Sequence, residues 1–530
     1  MKRSDLMNAL NNDMEWDVVV IGGGATGLGA AVDAAARGFR TLLLEAYDFA
    51  KGTSSRSTKL VHGGVRYLAK GEIGLVRQAL RERGLLHKNA PHLTREQAFV
   101  VPLYSWWEGL WYGTGLTLYN IMAGKLSLGR TRIIGAKKAL RYIPTLEREN
   151  LKGGVIYYDG QFDDSRLCIA LLRTMLDHGG VALNYMPVTA LLKGSNGRIY
   201  GVQARDAESG ATYDIKARSV INATGIFADD IRHMDERHAA PTITFSQGIH
   251  FVLDRSFLPG NHAIMVPKTA DGRVLFIIPW HNHVIVGTTD TPVSHAQIEP
   301  KPLAEELEFI QSHAARYLSK DPKPSDVLSV FTGLRPLVKS NSKSTASLSR
   351  DHVIRVSDAG LITISGGKWT TYRHMAEDVV DRAIKLAGLE RRPCPTAAMN
   401  LHGWQVSPAE EPFRVYGADA PALRNLLAEQ PHWAEPLHPT LPYLVGEVVW
   451  AARYELARTV EDVLSRRTRA LLLNSQASRE IAPRVAQLLA EELGHDQAWI
   501  DSQIEEYNQL VEIYTLHMPT STAAMATASA

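Results

Sequence analysis

Three stretches of the chain predict an α/β fold with an antiparallel β insertion and a C-terminal all-α domain. From Asp17 to Glu45, a β-branched run, a glycine-rich turn, an alanine-rich segment and a second apolar run succeed one another, the order strand–turn–helix–strand. Between residues 240 and 300, short apolar runs alternate with turn residues, as in an antiparallel meander. Beyond Pro393, apolar positions recur at helical spacing. At 530 residues there is length for two or three domains with large cores. A composition of 45% hydrophobic and 22% charged residues is that of a globular protein. The formal charge of +2 gives no argument for nucleic acid as a partner. Cys168 and Cys394 lie far apart without metal-ligand spacing, so a reducing compartment is expected and neither a disulfide framework nor a metal site.

The opening stretch carries the strongest motif. Val18-Val19-Val20-Ile21 is too short for a helix and reads as a buried strand. Gly22, Gly24 and Gly27 follow in G-x-G-x-x-G spacing: the first allows a tight turn, the second lets a pyrophosphate approach the backbone, and the third lets helix and strand pack closely. The phosphates would sit at the helix N-terminus, where N–H groups and the dipole favour negative charge. Thr41-Leu42-Leu43-Leu44 is the second strand, and Glu45 beyond it is placed to accept hydrogen bonds from an adenosine ribose while repelling a 2′-phosphate. The next stretch runs from Gly52 to Leu68 and is rich in hydroxyls, with Thr53, Ser54, Ser57, Lys59 and His62 before Gly63-Gly64. By composition alone this is a polar surface loop, but a flavin also calls for one, because its ribityl chain and pyrophosphate need short donors and its flat ring needs bare backbone.

From Gly22 through this loop and on almost to the C-terminus, the chain resembles the FAD-dependent, quinone-linked glycerol-3-phosphate dehydrogenases. The resemblance implies a Rossmann-like FAD-binding domain with an inserted antiparallel β substrate domain and a C-terminal all-α domain. It implies non-covalent FAD, glycerol 3-phosphate as substrate and a membrane quinone as electron acceptor. On these terms the FAD-binding domain takes residues 15–95, 151–240 and 326–390, the substrate cap 241–325, and the helical domain 395–517. A threonine- and alanine-rich tail, 518–530, is expected to be disordered.

Residues 70 to 90 read as an amphipathic helix ended by Pro91. The segment 96–150 holds Tyr104, Trp106, Trp107, Trp111, Tyr112 and Tyr119, then six cations without an acid: Lys125, Arg130, Arg132, Lys137, Lys138 and Arg141. The residues alone allow two readings, a tryptophan-rich core beside a solvated basic helix or a contact with an anionic bilayer. The membrane attachment implied by the resemblance favours the bilayer. Gly109 to Gly124 falls short of a spanning helix and the first residues do not form a signal peptide, so the expected location is cytoplasmic, peripheral to the inner face of the cell membrane.

Later motifs complete the site. Ser219 to Gly225, a strand ending in Ala-Thr-Gly, resembles the second nucleotide-facing turn of two-dinucleotide flavoproteins and places Thr224 and Gly225 near the pyrophosphate or adenine. The resemblance puts Thr288 at the substrate and His250 close to the flavin. Ser365-Gly366-Gly367-Lys368-Trp369-Thr370-Thr371 opens another helix after a strand, a donor-rich anion site, and in the family this end faces the flavin's pyrimidine edge. Gly367 and Thr370 are therefore expected at the cofactor. A phosphate dianion calls for cations, and Arg66, Arg335 and Lys368 lie on the cofactor-facing motifs, with Tyr67 beside Arg66. His250 is the candidate base, with His62 as the alternative. The C-terminal helices, one of them read from Thr459 to Leu473 with a capping-box pattern at Thr459 and Asp462, show no catalytic spacing and are expected to pack or to support an oligomer such as a homodimer. No D-x-D-x-D-G calcium loop occurs. An oxygen-using oxidase of the same substrate and an FAD-dependent nucleic-acid-modifying protein are the competing functions.

Overall fold

The computed structural model describes residues 3–10, 14–69, 71–267, 269, 272–339, 351–407 and 409–516, without the side chains of Arg66 and Ala69. The tail expected at 518–530 lies outside the described residues. A six-stranded sheet runs in the order His352–Val356, Ile362–Gly366, Val220–Asn222, Val18–Ile21, Thr41–Leu44, Val181–Leu183. Five strands are parallel and His352–Val356 closes one edge antiparallel. Val18–Ile21 and Thr41–Leu44 are buried throughout, which is why they read as unbroken apolar runs. Helix Ala25–Ala36 shares its core with helices Asp164–Asp177 and Tyr372–Ala387. Gly29 allows the last contact, since a Cβ there would lie 2.9 Å from the Tyr372 ring.

A ten-stranded mixed sheet forms the second layer. Its longest pairing is antiparallel, Ile243–Asp254 with Val327–Val338, which sets Ser246 opposite Arg335 and His250 opposite Phe331. Ala263–Val266, Leu275–Trp280 and His283–Gly287 supply the expected meander. The sheet also takes in Leu60–Val61, Thr94–Leu103 and Gly153–Phe162, so it reaches well beyond the limits 241–325 read from the sequence. Thr94–Leu103 opens with Thr-Arg-Glu-Gln and pairs with the distant strands Gly153–Phe162 and Ala263–Val266, so no local alternation announces it.

Helix Trp106–Ala123 starts at a capping box formed by Ser105 and Glu108. The basic helix expected after it is instead a single turn, the strand Arg132–Gly135 and the short helix Ala136–Tyr142. β-Branched Ile133 and Ile134 pair there with Val155 and Gly154, which interrupts the helix. The amphipathic stretch expected at 70–90 is helix Ile73–Asn89, whose buried face carries the charges of Glu82 and Arg83 as well as apolar residues.

The C-terminal domain contains helices Ala420–Glu429, Val445–Tyr454, Ala470–Leu473, Ser475–Leu493 and Gln497–Tyr514. Its core includes Val252, Trp280, Ile285 and Phe331, so it packs on one face of the ten-stranded sheet. The capping pair is present: Thr459 N–H donates to the Asp462 carboxylate (3.1 Å) and Asp462 N–H to Thr459 Oγ1 (3.2 Å). The helix predicted from Thr459 to Leu473 breaks into a widened turn, Asp462–Arg467, and the short helix Ala470–Leu473.

Candidate active site

A cavity of about 590 Å³ opens between the carboxyl ends of the six-stranded sheet and the ten-stranded sheet, where open α/β sheets bind ligands. Gly22, Gly24, Glu45, Thr224 and Gly225 line it from the first sheet. Gly22 sits at φ +107°, which only glycine adopts readily. A Cβ on Gly27 would lie 1.8 Å from the Gly22 carbonyl oxygen, so the third glycine serves packing and does not face the cavity. Gly24 does face it, and a Cβ there would meet Ser54 Oγ at 3.0 Å. Ser54 Oγ accepts from the Ala25 N–H (2.9 Å), and the Glu45 carboxylate accepts from Gly23 N–H (2.5 Å) and Tyr47 N–H (2.8 Å). Burial pushes the Glu45 carboxyl above its usual value, the two N–H donors opposing.

The second turn, Gly366-Gly367, is left-handed at both residues (φ +80° and +75°) and leads into helix Tyr372–Ala387. It is tied to the hydroxyl-rich loop. The Trp369 indole N–H donates to the Ser54 carbonyl (2.9 Å), and His62 N–H donates to Thr370 Oγ1 (3.1 Å). Lys368 Nζ stands 3.8 Å above the Tyr67 ring.

The ten-stranded sheet contributes a compact polar cluster. Arg335 Nη2 donates to Thr288 Oγ1 and to the Thr289 carbonyl, both at 3.1 Å, and Nη1 lies 3.6 Å from the Asp290 carboxylate. His250 is buried, stacks on Phe331 with centroids 4.6 Å apart, and holds Nε2 2.9 Å from Thr58 Oγ1. Burial first, then the charges of Lys59 and Arg335, push its imidazole well below the ordinary histidine value, so it stays neutral. Around this cluster the sheet is bare. Gly248 pairs with Gly333, and a Cβ on Gly248 would lie 2.4 Å from Arg335 Nη2 and 2.5 Å from Thr288 Oγ1.

Most of the residues expected from the sequence line this one cavity, including Thr53, Ser54, Ser57, His62, Tyr67, Thr288, Arg335, Gly367, Lys368 and Thr370. Others do not. Lys59 lies behind the wall, with Nζ 2.7 Å from the Asp164 carboxylate and 2.6 Å from the Ser55 carbonyl, and burial lowers its pKa to about 7. Ser57 reaches the cavity, but its hydroxyl donates to Asp164 (2.7 Å). Gly63 faces helix Ile73–Asn89: its N–H donates to Tyr119 Oη (2.6 Å), and a Cβ would meet Leu80 at 2.6 Å. Gly64, at φ +81°, takes the place expected for Gly63, because the left-handed turn falls on the second glycine. The side chain of Arg66 lies outside the described residues. The sequence reading also missed Thr58, Gly248 and Gly333. Thr58 sits inside the hydroxyl-rich loop, and the two glycines lie on strands whose pairing the sequence does not display.

Two family models match the chain: FAD dependent oxidoreductase over residues 17–373, and C-terminal domain of alpha-glycerophosphate oxidase over residues 360–500. The chain is 40% identical over 544 residues to a Caenorhabditis elegans protein named probable glycerol-3-phosphate dehydrogenase, mitochondrial, covering 96% of this chain and 75% of that one. The chain belongs to the FAD-dependent glycerol-3-phosphate dehydrogenase family. The human mitochondrial glycerol-3-phosphate dehydrogenase is 39% identical, covering 94% of this chain and 73% of that one. A glycerol-3-phosphate dehydrogenase from Bacillus halodurans, solved in complex with FAD, is 30% identical with a TM-score of 0.79, covering 98% of this chain and 99% of that one. An L-α-glycerophosphate oxidase from Mycoplasma pneumoniae, 18% identical with a TM-score of 0.54 over 73% of this chain and 99% of that one, shares the fold. FAD is thus the cofactor, and the cavity fits it: a left-handed glycine turn at a helix start, a second glycine turn, and bare sheet between them.

Proposed function

We propose that the protein oxidises sn-glycerol 3-phosphate to dihydroxyacetone phosphate on non-covalently held FAD and passes the electrons to a membrane quinone. The observation that carries this reading is the Arg335–Thr288–His250 cluster on the same cavity as the Gly22–Gly24 turn. The relatives' names support the substrate. Gly22, Gly24 and the start of helix Ala25–Ala36 would hold the pyrophosphate, Glu45 with Thr224 and Gly225 the adenosine side, and Gly366-Gly367 with Thr370 the flavin ring. Bound FAD supplies the hydride acceptor, N5, for the C2 hydrogen. The chain's own groups do the rest. The Arg335 guanidinium, held by its bonds to residues 288 and 289, offers a planar donor to the phosphate or the C2 oxygen, and Lys368 adds a second charge. His250, kept neutral and oriented by Thr58 and Phe331, takes the hydroxyl proton at Nε2. His62 lines the same cavity and is the alternative base.

Helix Trp106–Ala123 supports the quinone and the peripheral attachment. Trp106, Trp107 and Trp111 are 77%, 82% and 73% exposed, and Leu110, Leu118 and Ile121 are exposed with them. At about 100° per residue all six fall within an arc of about 140°. Ile133, exposed, lies against this helix at Gly113, and the six cations that follow between 125 and 141 are all exposed. Among the described residues no helix is long and apolar enough to cross a membrane. An apolar, tryptophan-rich face followed by exposed cations suits the surface of an anionic bilayer. Anaerobic titration of the purified flavoprotein with glycerol 3-phosphate should bleach the flavin, and a quinone analogue should restore its colour far faster than air. An unbleached flavin would refute the substrate. Equal reoxidation by air would favour the oxidase, the reading that the C-terminal family match keeps open.

A further inference from the structure

The run Arg466-Arg467-Thr468-Arg469 takes no part in the chemistry above, yet all three guanidiniums are buried, which is costly unless each is fully paired. Some of their partners lie in the C-terminal domain itself, Asp462 for Arg466 and the Glu455 carbonyl for Arg467, and others lie on, or bind, the loop that walls the cavity. Arg466 and Arg467, the last two residues of the widened turn Asp462–Arg467, both reach one carboxylate, that of Asp48. Asp48 accepts from Arg466 Nε at 2.5 Å and Arg467 Nη2 at 2.9 Å, and from Arg467 Nη1 as well. Asp48 begins the loop whose Ala50, Lys51, Gly52, Thr53, Ser54, Arg56, Ser57 and Thr58 face the cavity. Arg469 secures the other end. Its Nη2 donates to the Ser55 carbonyl (2.9 Å) and to the Asp164 carboxylate (3.0 Å), and Asp164 also accepts from Ser57 N–H (3.1 Å), Ser57 Oγ (2.7 Å) and Lys59 Nζ (2.7 Å). Between the two ends, Lys51 pairs with Glu461 at 2.5 Å.

We propose that this arginine run is a positioning element of the cofactor site: it holds the loop from Tyr47 to Thr58 in the shape that accepts FAD, so that FAD retention depends on the docked C-terminal domain. The proposal rests on the cavity being the FAD site. The coupling is reciprocal, so FAD in turn strengthens the docking of the helical domain.

The test uses Arg467→Ala, Arg467→Lys and Asp48→Asn in the full-length protein, with FAD dissociation constants from flavin fluorescence and domain stability from far-ultraviolet thermal unfolding. Arg467→Ala should weaken FAD binding by about 30-fold or more, the range for truncating one partner of a buried charge pair. Arg467→Lys should recover part of the loss. In the Arg467→Ala holoenzyme, amide hydrogen exchange should rise in 47–58 more than in helix Ser475–Leu493. A lowered unfolding temperature with FAD affinity within threefold of wild type would overturn the proposal and leave the arginines as interdomain glue. Should Arg467→Ala not fold, Asp48→Asn, which keeps the side chain's shape, is held to the same two outcomes. Gly24→Val run in parallel separates the premise from the proposal: if that variant keeps its flavin, the FAD site itself is misplaced.

Discussion

Replacing Arg335 by lysine keeps the charge and removes the fork, and the structure indicates what that removes. The guanidinium binds two groups through one nitrogen, Thr288 Oγ1 and the Thr289 carbonyl, while the other nitrogen faces the Gln247 carbonyl (3.4 Å) and the Asp290 carboxylate. A lysine ammonium is one point on a flexible stem. It cannot keep these contacts and also present two parallel donors to a substrate oxyanion. The Arg335 side chain is 22% exposed, so the lost bond lies at a partly desolvated site. Losing one charge-assisted pair there costs about 2–4 kcal/mol, which corresponds to a fall of about 30- to 1,000-fold in kcat/KM. Steady-state kinetics with a soluble dye as acceptor separates two roles. If Arg335 only anchors phosphate, KM rises with kcat kept; if it also polarises the C2 oxygen in the transition state, kcat falls too. Flavin content should stay at the wild-type level, because the FAD contacts proposed above do not include Arg335. A lysine variant with wild-type kinetics on glycerol 3-phosphate refutes the assignment and leaves Lys368 and Arg66 as the candidate anchors.

Other outcomes follow from the same contacts. Gly24→Val should abolish FAD binding, because its Cβ already reaches Ser54 Oγ at 3.0 Å and its branches would fill the cavity wall; flavin absorbance of the purified variant measures this. Acid or denaturant should release the flavin of the wild-type protein, and flavin retained on the precipitated chain would show a covalent link. Lys137→Glu, Lys138→Glu and Arg141→Glu together should weaken sedimentation with anionic vesicles by about 1 kcal/mol per lost cation, less at high salt, with dye-linked turnover unchanged. His402 is held between Asp177 (2.6 Å) and Asp419 (2.8 Å), which raise its pKa to about 9 against the cost of burial. A raised folded-state pKa gives stability that is complete below about pH 6.5 and is lost as pH rises toward 9. The melting temperature should therefore fall across that window, and His402→Gln should flatten the fall.

The sequence made the glycine turns that line the cavity legible and left its frame obscure, for a physical reason. Gly22, Gly24, Glu45 and Gly366-Gly367 lie at turns where a few adjacent residues settle the local conformation, so spacing alone predicts their place. His250, Thr288 and Arg335 owe their meeting to the pairing of Ile243–Asp254 with strands some forty and ninety residues away, which no short window displays. The family resemblance supplied His250 and Thr288, the charge of a phosphate substrate supplied Arg335, and periodicity supplied none of them. Lys59 and Gly63 were misplaced for the opposite reason. Each sits in the right loop, but which side of a loop faces a cavity depends on what packs behind it: Asp164 for one, Leu80 and Tyr119 for the other.

The C-terminal domain has the greatest distance along the chain between a residue and its partner. Its helical pattern was plain, yet nothing in its spacing suggested a role, because its arginines act on a partner more than four hundred positions earlier in the chain. The widened turn at Asp462–Arg467 is where local preference and distant demand conflict. Arg466 and Arg467 close that turn, and both pair there with one buried carboxylate, that of Asp48. An irregularity of this kind persists only where the bonds it permits outweigh the helix it breaks. Asp48 supplies those bonds, and it stands at the start of the loop that walls the cavity.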